Sequence, residues 1–341
     1  MRAQVLHQWG DALSLENVAM PGVGPRDARV RVEACGVGLT VLNYMNGNMS
    51  RRPEDLPRIP GHEVVGSIVE VGAHVHGLAV GQRVMSHFYL FCGECDLCRL
   101  AHEPLCRNLR GQVGIAADGG YAEYMTLPAA NFIPLPAGID PVAATAIPDA
   151  IATPFHVSRR AGISGGDVVL VIGAAGGVGI HMVQMARVFG AEVIAVDLGE
   201  SKLAACRELG ARATLDFSAP GAVDAVRAAA PRGVSVAIDL VGSRETLAFA
   251  LDTLGPRGRL VLLTTFQGVT LDVSPRRLVA QEISVLGSRY ASRYELAQAA
   301  EMVAAGRIKP IVSEVVKLED VGTLHGKLRA RTLLGRGAIA F

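Results

Sequence analysis

Over roughly the first 150 positions, apolar and polar residues alternate in short runs. Arg29-Val30-Arg31-Val32-Glu33-Ala34 changes character at every step, the period of a half-buried strand. Val64 to Val71 predicts a second strand, closed by Gly72, and Pro21-Gly22, Pro60-Gly61 and Gly119-Gly120 punctuate the region as turns. Near residue 150 the pattern changes. Asp167 to Ile172 reads as a buried strand, followed by a glycine turn and a helical pattern to Phe189. Glu192 to Val196 predicts the next strand and Ser201 to Leu209 a helix, and Val234 to Leu240 and Arg259 to Leu263 continue the series. Alternation of this kind implies a parallel sheet covered on both faces. After Gly287 the alternation relaxes into a helix over Tyr294 to Ala305 and short strands. The chain therefore reads as α/β, divided into 1–150, 151–287 and 288–341, without internal repeats.

Composition adds limits. At 341 residues, half of them hydrophobic and 19% charged, the chain can bury two cores and does not read as disordered. Net charge is +1, with Lys and Arg dispersed, so no nucleic-acid partner is expected. The apolar runs are of strand length and the N-terminus lacks a signal-peptide core, so the expected location is cytoplasmic, with no membrane partner.

The segment from Val168 to Gly179 (VVLVIGAAGGVG) runs a strand into a glycine-rich turn. Glycine lets backbone approach a pyrophosphate, and the following helix aims free N–H groups at it. Read as G-x-G-x-x-G, Ala174 takes the first place, and Gly176 and Gly179 match, with Gly177 and Val178 between them. A second strand ends at Asp197, close to twenty residues on, where a carboxylate suits the ribose hydroxyls of NAD and repels the 2′-phosphate of NADP. The bland alternative is a domain of this shape that binds no cofactor.

Four of the six cysteines form C-x2-C-x2-C-x7-C over Cys92, Cys95, Cys98 and Cys106. In a reducing compartment this spacing points to a closed tetrahedral zinc site that supports folding. An iron–sulfur cluster or free thiols are the alternatives, although the run usual for ferredoxin-type clusters is missing. Arg99, Arg107 and Arg110 could offset the thiolate charge, and Cys35 and Cys206 read as small buried hydrophobes.

Together these motifs resemble the zinc-containing alcohol dehydrogenases of the medium-chain dehydrogenase/reductase superfamily. Gly61-His62-Glu63, the cysteine lobe at 92–106 following Gly81-Gln82-Arg83-Val84, the glycine turn, and Gly335-Arg336 carry the resemblance across essentially the whole chain. It implies a GroES-like, mainly-β catalytic domain built from both chain ends, a doubly wound Rossmann domain between them, and a substrate cleft at their junction. It further implies NAD(H) as cofactor, a homodimer or homotetramer, and a small to medium alcohol or carbonyl substrate. By the same resemblance His62 is a metal ligand, Glu63 the acid beside it, Asp149 the third-ligand position, and Thr40 the hydroxyl that passes the substrate proton. Lys202 would touch the adenosine ribose, Arg336 the pyrophosphate, and Phe88 would line the substrate pocket. Thr153, Val241, Leu263 and Thr264 are further candidate cofactor contacts.

Two positions depart from the family. Gly38 stands where the first metal-ligand cysteine belongs, and Asn43 where many members carry a proton-relaying histidine. Asn cannot titrate, so a relay would end at Thr40, a cofactor hydroxyl or water. A catalytic zinc wants three protein ligands and one open position, and His62, Glu63 and Asp149 could supply them in shifted form. The alternative is a site without metal, in which Thr40, Asn43 or Tyr44 donates to the substrate, which suits reduction of an α,β-unsaturated carbonyl. A third possibility is a cofactor-binding protein that has lost catalysis.

Overall fold

The computed structural model describes residues 1–264 and 268–341. The chain divides into two compact units: Met1–Ala152 with Ala291–Gly306 and Pro310–Phe341, and Thr153–Tyr290 with Arg307–Lys309.

The first unit is built on a seven-stranded sheet. Its order is Val312–Val316, Arg336–Ala340, Asp27–Val37, Glu63–Val71, Arg83–Ser86 and Phe132–Pro134, with Tyr124–Pro128 also paired to Asp27–Val37. The long strand Asp27–Val37 alternates as its sequence does: Val30 and Val32 are buried and Arg31 is exposed. Arg336–Ala340 runs antiparallel to it, with Gly337 opposite Val37 and Ala338 opposite Gly36. A residue from the far end of the sequence is thereby brought beside Gly38. The predicted C-terminal helix is Arg293–Ala304, capped by Ser292, whose hydroxyl accepts from the Glu295 N–H in a capping box.

The second unit is a six-stranded, all-parallel sheet in the order Ala213–Asp216, Glu192–Asp197, Val168–Ile172, Val234–Asp239, Leu254–Leu262, Ser284–Gly287. Numbered by sequence, that is 3-2-1-4-5-6, the doubly wound Rossmann order, whose direction reverses between Val168–Ile172 and Val234–Asp239. Val169, Leu170 and Val171 have no exposed surface, as expected for a central parallel strand. Two strands escaped the hydrophobic pattern, Ala213–Asp216 and Ser284–Gly287. Both lie at sheet edges, where partial cover leaves no continuous apolar run to read. Met182 and Met185 are fully buried core residues. Among the described residues, no helix is long and apolar enough to cross a membrane.

Candidate functional site

The candidate residues fall into groups within each unit. In the Rossmann unit the glycine turn follows the central strand at the point where sheet order reverses, and the tight bend falls on Gly173 (φ 78°) rather than on Ala174. Gly179 opens the helix Gly179–Val188, and a Cβ there would overlap the Gly173 carbonyl, so helix and strand end approach closely only with glycine. Asp197 ends the neighbouring strand and folds its carboxylate against this turn. Oδ2 accepts from the Ala175 N–H at 2.8 Å and Oδ1 from the Leu198 N–H at 2.8 Å. Lys202 Nζ lies 3.7 Å from Oδ1.

Val241 packs over the turn, 3.2 Å from the Cβ position of Gly173. Its loop is tied down by a residue the sequence reading passed over. Asp239 is buried and accepts from the N–H groups of Val241 (2.8 Å) and Gly242 (3.2 Å) and from the Thr246 hydroxyl (2.9 Å). Asp at a strand end before a glycine turn is the signal that could have found it. Leu263 and Thr264 follow the next strand, and the Thr264 hydroxyl donates to the Leu240 carbonyl at 3.2 Å. Thr153 is buried in the first turn of the helix Ala152–Arg160.

In the first unit the cysteine lobe is compact. The four sulfurs lie within 4.8 Å of one another, Cys92 and Cys98 being 3.9 Å apart and Cys95 and Cys106 4.0 Å apart. Sulfurs on a tetrahedron around zinc at ~2.3 Å stand roughly 3.8 Å apart, so the set fits that ion. None of the six cysteines is in a disulfide. Backbone N–H groups of Glu94 and Cys95 point at the Cys92 sulfur and draw its thiol down to about 6. Arg107, expected to offset the thiolates, is instead held by both carboxylate oxygens of Asp96 at 2.6 and 2.7 Å.

A second group surrounds His62. Gly61 (φ 96°) lies against the Tyr121 ring, leaving no room for a side chain. The Ser86 hydroxyl then fixes the backbone on either side of the Glu63 position, donating to the His62 carbonyl at 2.6 Å and accepting from the Val64 N–H at 3.1 Å. The His62 ring packs on Phe88 with centroids 4.3 Å apart. Its Nε2 is buried without a hydrogen-bond partner and lies 3.7 Å from Asp149 Oδ2. Asp149 sits in a single π-turn, Ile147–Ile151, in which the Ile151 N–H reaches the Ala146 carbonyl at 2.9 Å. Such turns recur at functional sites because they re-aim one side chain.

The three expected metal ligands do converge, yet they meet a guanidinium. Arg336 Nη2 donates to Asp149 Oδ2 at 2.8 Å and lies 3.1 Å from Glu63 Oε1. Burial raises the Glu63 carboxyl, opposed by Arg336; burial works against the Arg336 charge, and the Glu63 and Asp149 carboxylates outweigh it, holding the guanidinium protonated. Among the described residues the four cysteines are the one group with three or more ligand atoms gathered within 4.8 Å, so His62, Glu63 and Asp149 do not form such a set.

Thr40 and Asn43 lie one turn apart on the helix Leu39–Met45, both partly exposed. Tyr44 is not available as a substrate donor: its buried hydroxyl donates to the Asp55 carbonyl at 2.6 Å, and burial pushes it up to about 12. His87 is likewise structural, its ring nitrogens facing the carbonyls of Tyr89 and Ala291, each at 3.1 Å.

A mainly-β unit with a four-thiol lobe and a Rossmann unit with an acid-anchored glycine turn define a two-domain dehydrogenase architecture. Comparison with known proteins agrees. The family described as alcohol dehydrogenase GroES-like domain matches residues 24–137, and that described as zinc-binding dehydrogenase matches residues 177–305. An alcohol dehydrogenase of Geobacillus stearothermophilus is 32% identical over 338 residues, 98% of each chain. An NAD-dependent alcohol dehydrogenase of Sulfolobus acidocaldarius is 29% identical over 343 residues, again 98% of each. The crystal structure of an NAD-dependent alcohol dehydrogenase superposes with a TM-score of 0.92 at 30% identity, covering all of both chains. The chain belongs to the zinc-type alcohol dehydrogenase family of medium-chain dehydrogenases/reductases and is an oxidoreductase.

Proposed function

We propose that this enzyme transfers hydride between NAD(H) and a small to medium alcohol or carbonyl compound, working as a cytoplasmic homodimer or homotetramer. The observation that carries the cofactor assignment is Asp197. Its carboxylate closes the strand beside the glycine turn, anchored by the Ala175 N–H, where it can accept ribose hydroxyls and would repel a 2′-phosphate. The Gly173–Gly179 turn and the helix behind it would take the pyrophosphate, and Val241, Leu263, Thr264, Thr153 and Lys202 would bound the rest. Thr40 would pass the proton of the substrate oxygen, with Asn43 beside it as a non-titrating donor. Zinc would be held by Cys92, Cys95, Cys98 and Cys106, where a closed thiolate set supports the fold rather than the reaction.

A second reading concerns the bond reduced. The pairing of Arg336 with Asp149 favours the C=C bond of an α,β-unsaturated carbonyl, which needs less activation of its oxygen than a plain ketone. Initial rates with NADH and NADPH against matched panels of simple ketones, aldehydes and enones test both. Turnover with NADH on either panel supports the reading; a kcat/KM with NADPH above that with NADH overturns the cofactor assignment.

A further inference from the structure

The family implies a catalytic ion in addition to the cysteine-bound one, and the residues around Gly38 bear on whether this chain can hold it. The strand Arg336–Ala340 pairs antiparallel with Asp27–Val37, Gly337 facing Val37, so one step further the register sets Arg336 opposite Gly38. Gly36 and Gly38 lie on one face of their strand. A Cβ on Gly36 would stand 2.6 Å from Glu63 Oε2. A Cβ on Gly38 would overlap Arg336 Nη1 and stand 2.9 Å from its Cζ. The two glycines thus open the space through which Glu63 and Arg336 meet. The guanidinium fills the volume that a side chain at position 38 would need, and it holds both neighbouring carboxylates, Asp149 at 2.8 Å and Glu63 at 3.1 Å.

A catalytic zinc takes three protein ligands. Here Gly38 supplies no donor atom, and Asp149 and Glu63 are committed to Arg336. His62 Nε2 keeps a donor atom without a hydrogen-bond partner. A divalent ion brought to His62 would also stand close to a fixed cation and be repelled by it. The residues present do not fit the ion. We propose that the Arg336 guanidinium takes the place of the family's catalytic zinc, supplying the positive charge that compensates Asp149 and Glu63. Arg336 is then a positioning residue: it fixes Asp149, which in turn stands 3.7 Å from His62 Nε2. The inference builds on the oxidoreductase reading above, but its test does not depend on turnover.

The test is metal content of the full-length protein purified, stripped of loosely held ions and supplied with zinc or cobalt(II). Wild type is expected to hold about one ion per chain, with the cobalt absorption of a four-thiolate site alone. A Gly38→Cys/Arg336→Ala double variant, which restores a thiol and removes the guanidinium, is expected to take up about one more ion, with added cobalt–thiolate bands. About two ions per wild-type chain would overturn the proposal, and so would a double variant that folds by circular dichroism yet gains no ion. If the double variant fails to fold, the wild-type count decides. NADH turnover read on the same preparation separates the two readings: one ion per chain without turnover on any carbonyl would sink the proposed function and leave the charge substitution standing.

Discussion

The Ser86 hydroxyl bridges His62 and the strand that carries it, donating to the His62 carbonyl at 2.6 Å while accepting the Val64 N–H at 3.1 Å. Glu63 lies between the two bonded groups, so one fully buried oxygen sets the backbone of both site residues. Ser86→Ala leaves a buried N–H and a buried carbonyl unpartnered, at a cost of about 1–3 kcal/mol. The expected outcome is a lowered Tm together with a reduced kcat/KM. An unchanged Tm would show that the hydroxyl is not needed to hold this backbone.

Asp197→Asn keeps an oxygen for the Ala175 N–H but removes the charge offered to the ribose. Loss of a charge-assisted hydrogen bond of about 1.5–3 kcal/mol raises the KM for NADH by roughly ten- to a hundredfold. The KM for NADPH should fall in the same variant, because the repulsion of the 2′-phosphate is relieved. Parallel KM measurements with both cofactors check this, and a variant that weakens both equally would mean that Asp197 only shapes the turn.

Removing metal from the cysteine lobe should act on stability before chemistry. Cys106→Ser takes one corner from a cluster that packs Phe91, Cys98 and Cys106 together. The variant is expected to lose about one zinc per chain and to unfold at lower temperature. At temperatures where it stays folded, kcat should remain within a few-fold of wild type. A selective collapse of kcat with Tm intact would tie this lobe to the reaction.

His325 predicts an acid-side loss of stability. It is buried on the helix Val321–Arg329, its Nε2 without a hydrogen-bond partner and its ring stacked 6.0 Å from that of Tyr121. Burial, and then Arg329, hold its pKa down at about 4 against an ordinary 6.5. Below pH 6.5 the unfolded chain takes up the proton first, so stability is full above that value and drains away as pH falls towards 4. The group can account for up to roughly 3 kcal/mol of that loss. Urea unfolding at several pH values should give a shallower acid slope for His325→Leu than for wild type; equal slopes would remove His325 as a source.

The parts of the site that were legible in the sequence are those written in short stretches. The cysteine lobe spans Cys92 to Cys106, and the glycine turn and Asp197 are joined by one strand–helix–strand unit. Spacing alone defines such groups, because the local backbone fixes where each residue goes. The Arg336–Asp149 pair joins positions 187 apart, and nothing near either residue announces the other. Gly38 was visible as a missing ligand, but what fills the space depends on the register of two strands from opposite ends of the chain. Tyr44 fails as a donor for a similar reason: its partner is a backbone carbonyl in the Asp55 turn, and carbonyls leave no trace in a sequence. The two unread strands were lost because edge strands need not be apolar.

The strand Arg336–Ala340 also bears on the order of events during synthesis. It lies between Val312–Val316 and Asp27–Val37, and it delivers the guanidinium that neutralises Glu63 and Asp149. A nascent chain carries those two acids, and the sheet meant to receive them, long before residue 336 leaves the ribosome. The Thr153–Tyr290 unit, almost all of it contiguous, can close on itself during translation. The unit that houses His62 must wait, with an open strand slot and two uncompensated carboxylates, until its arginine arrives.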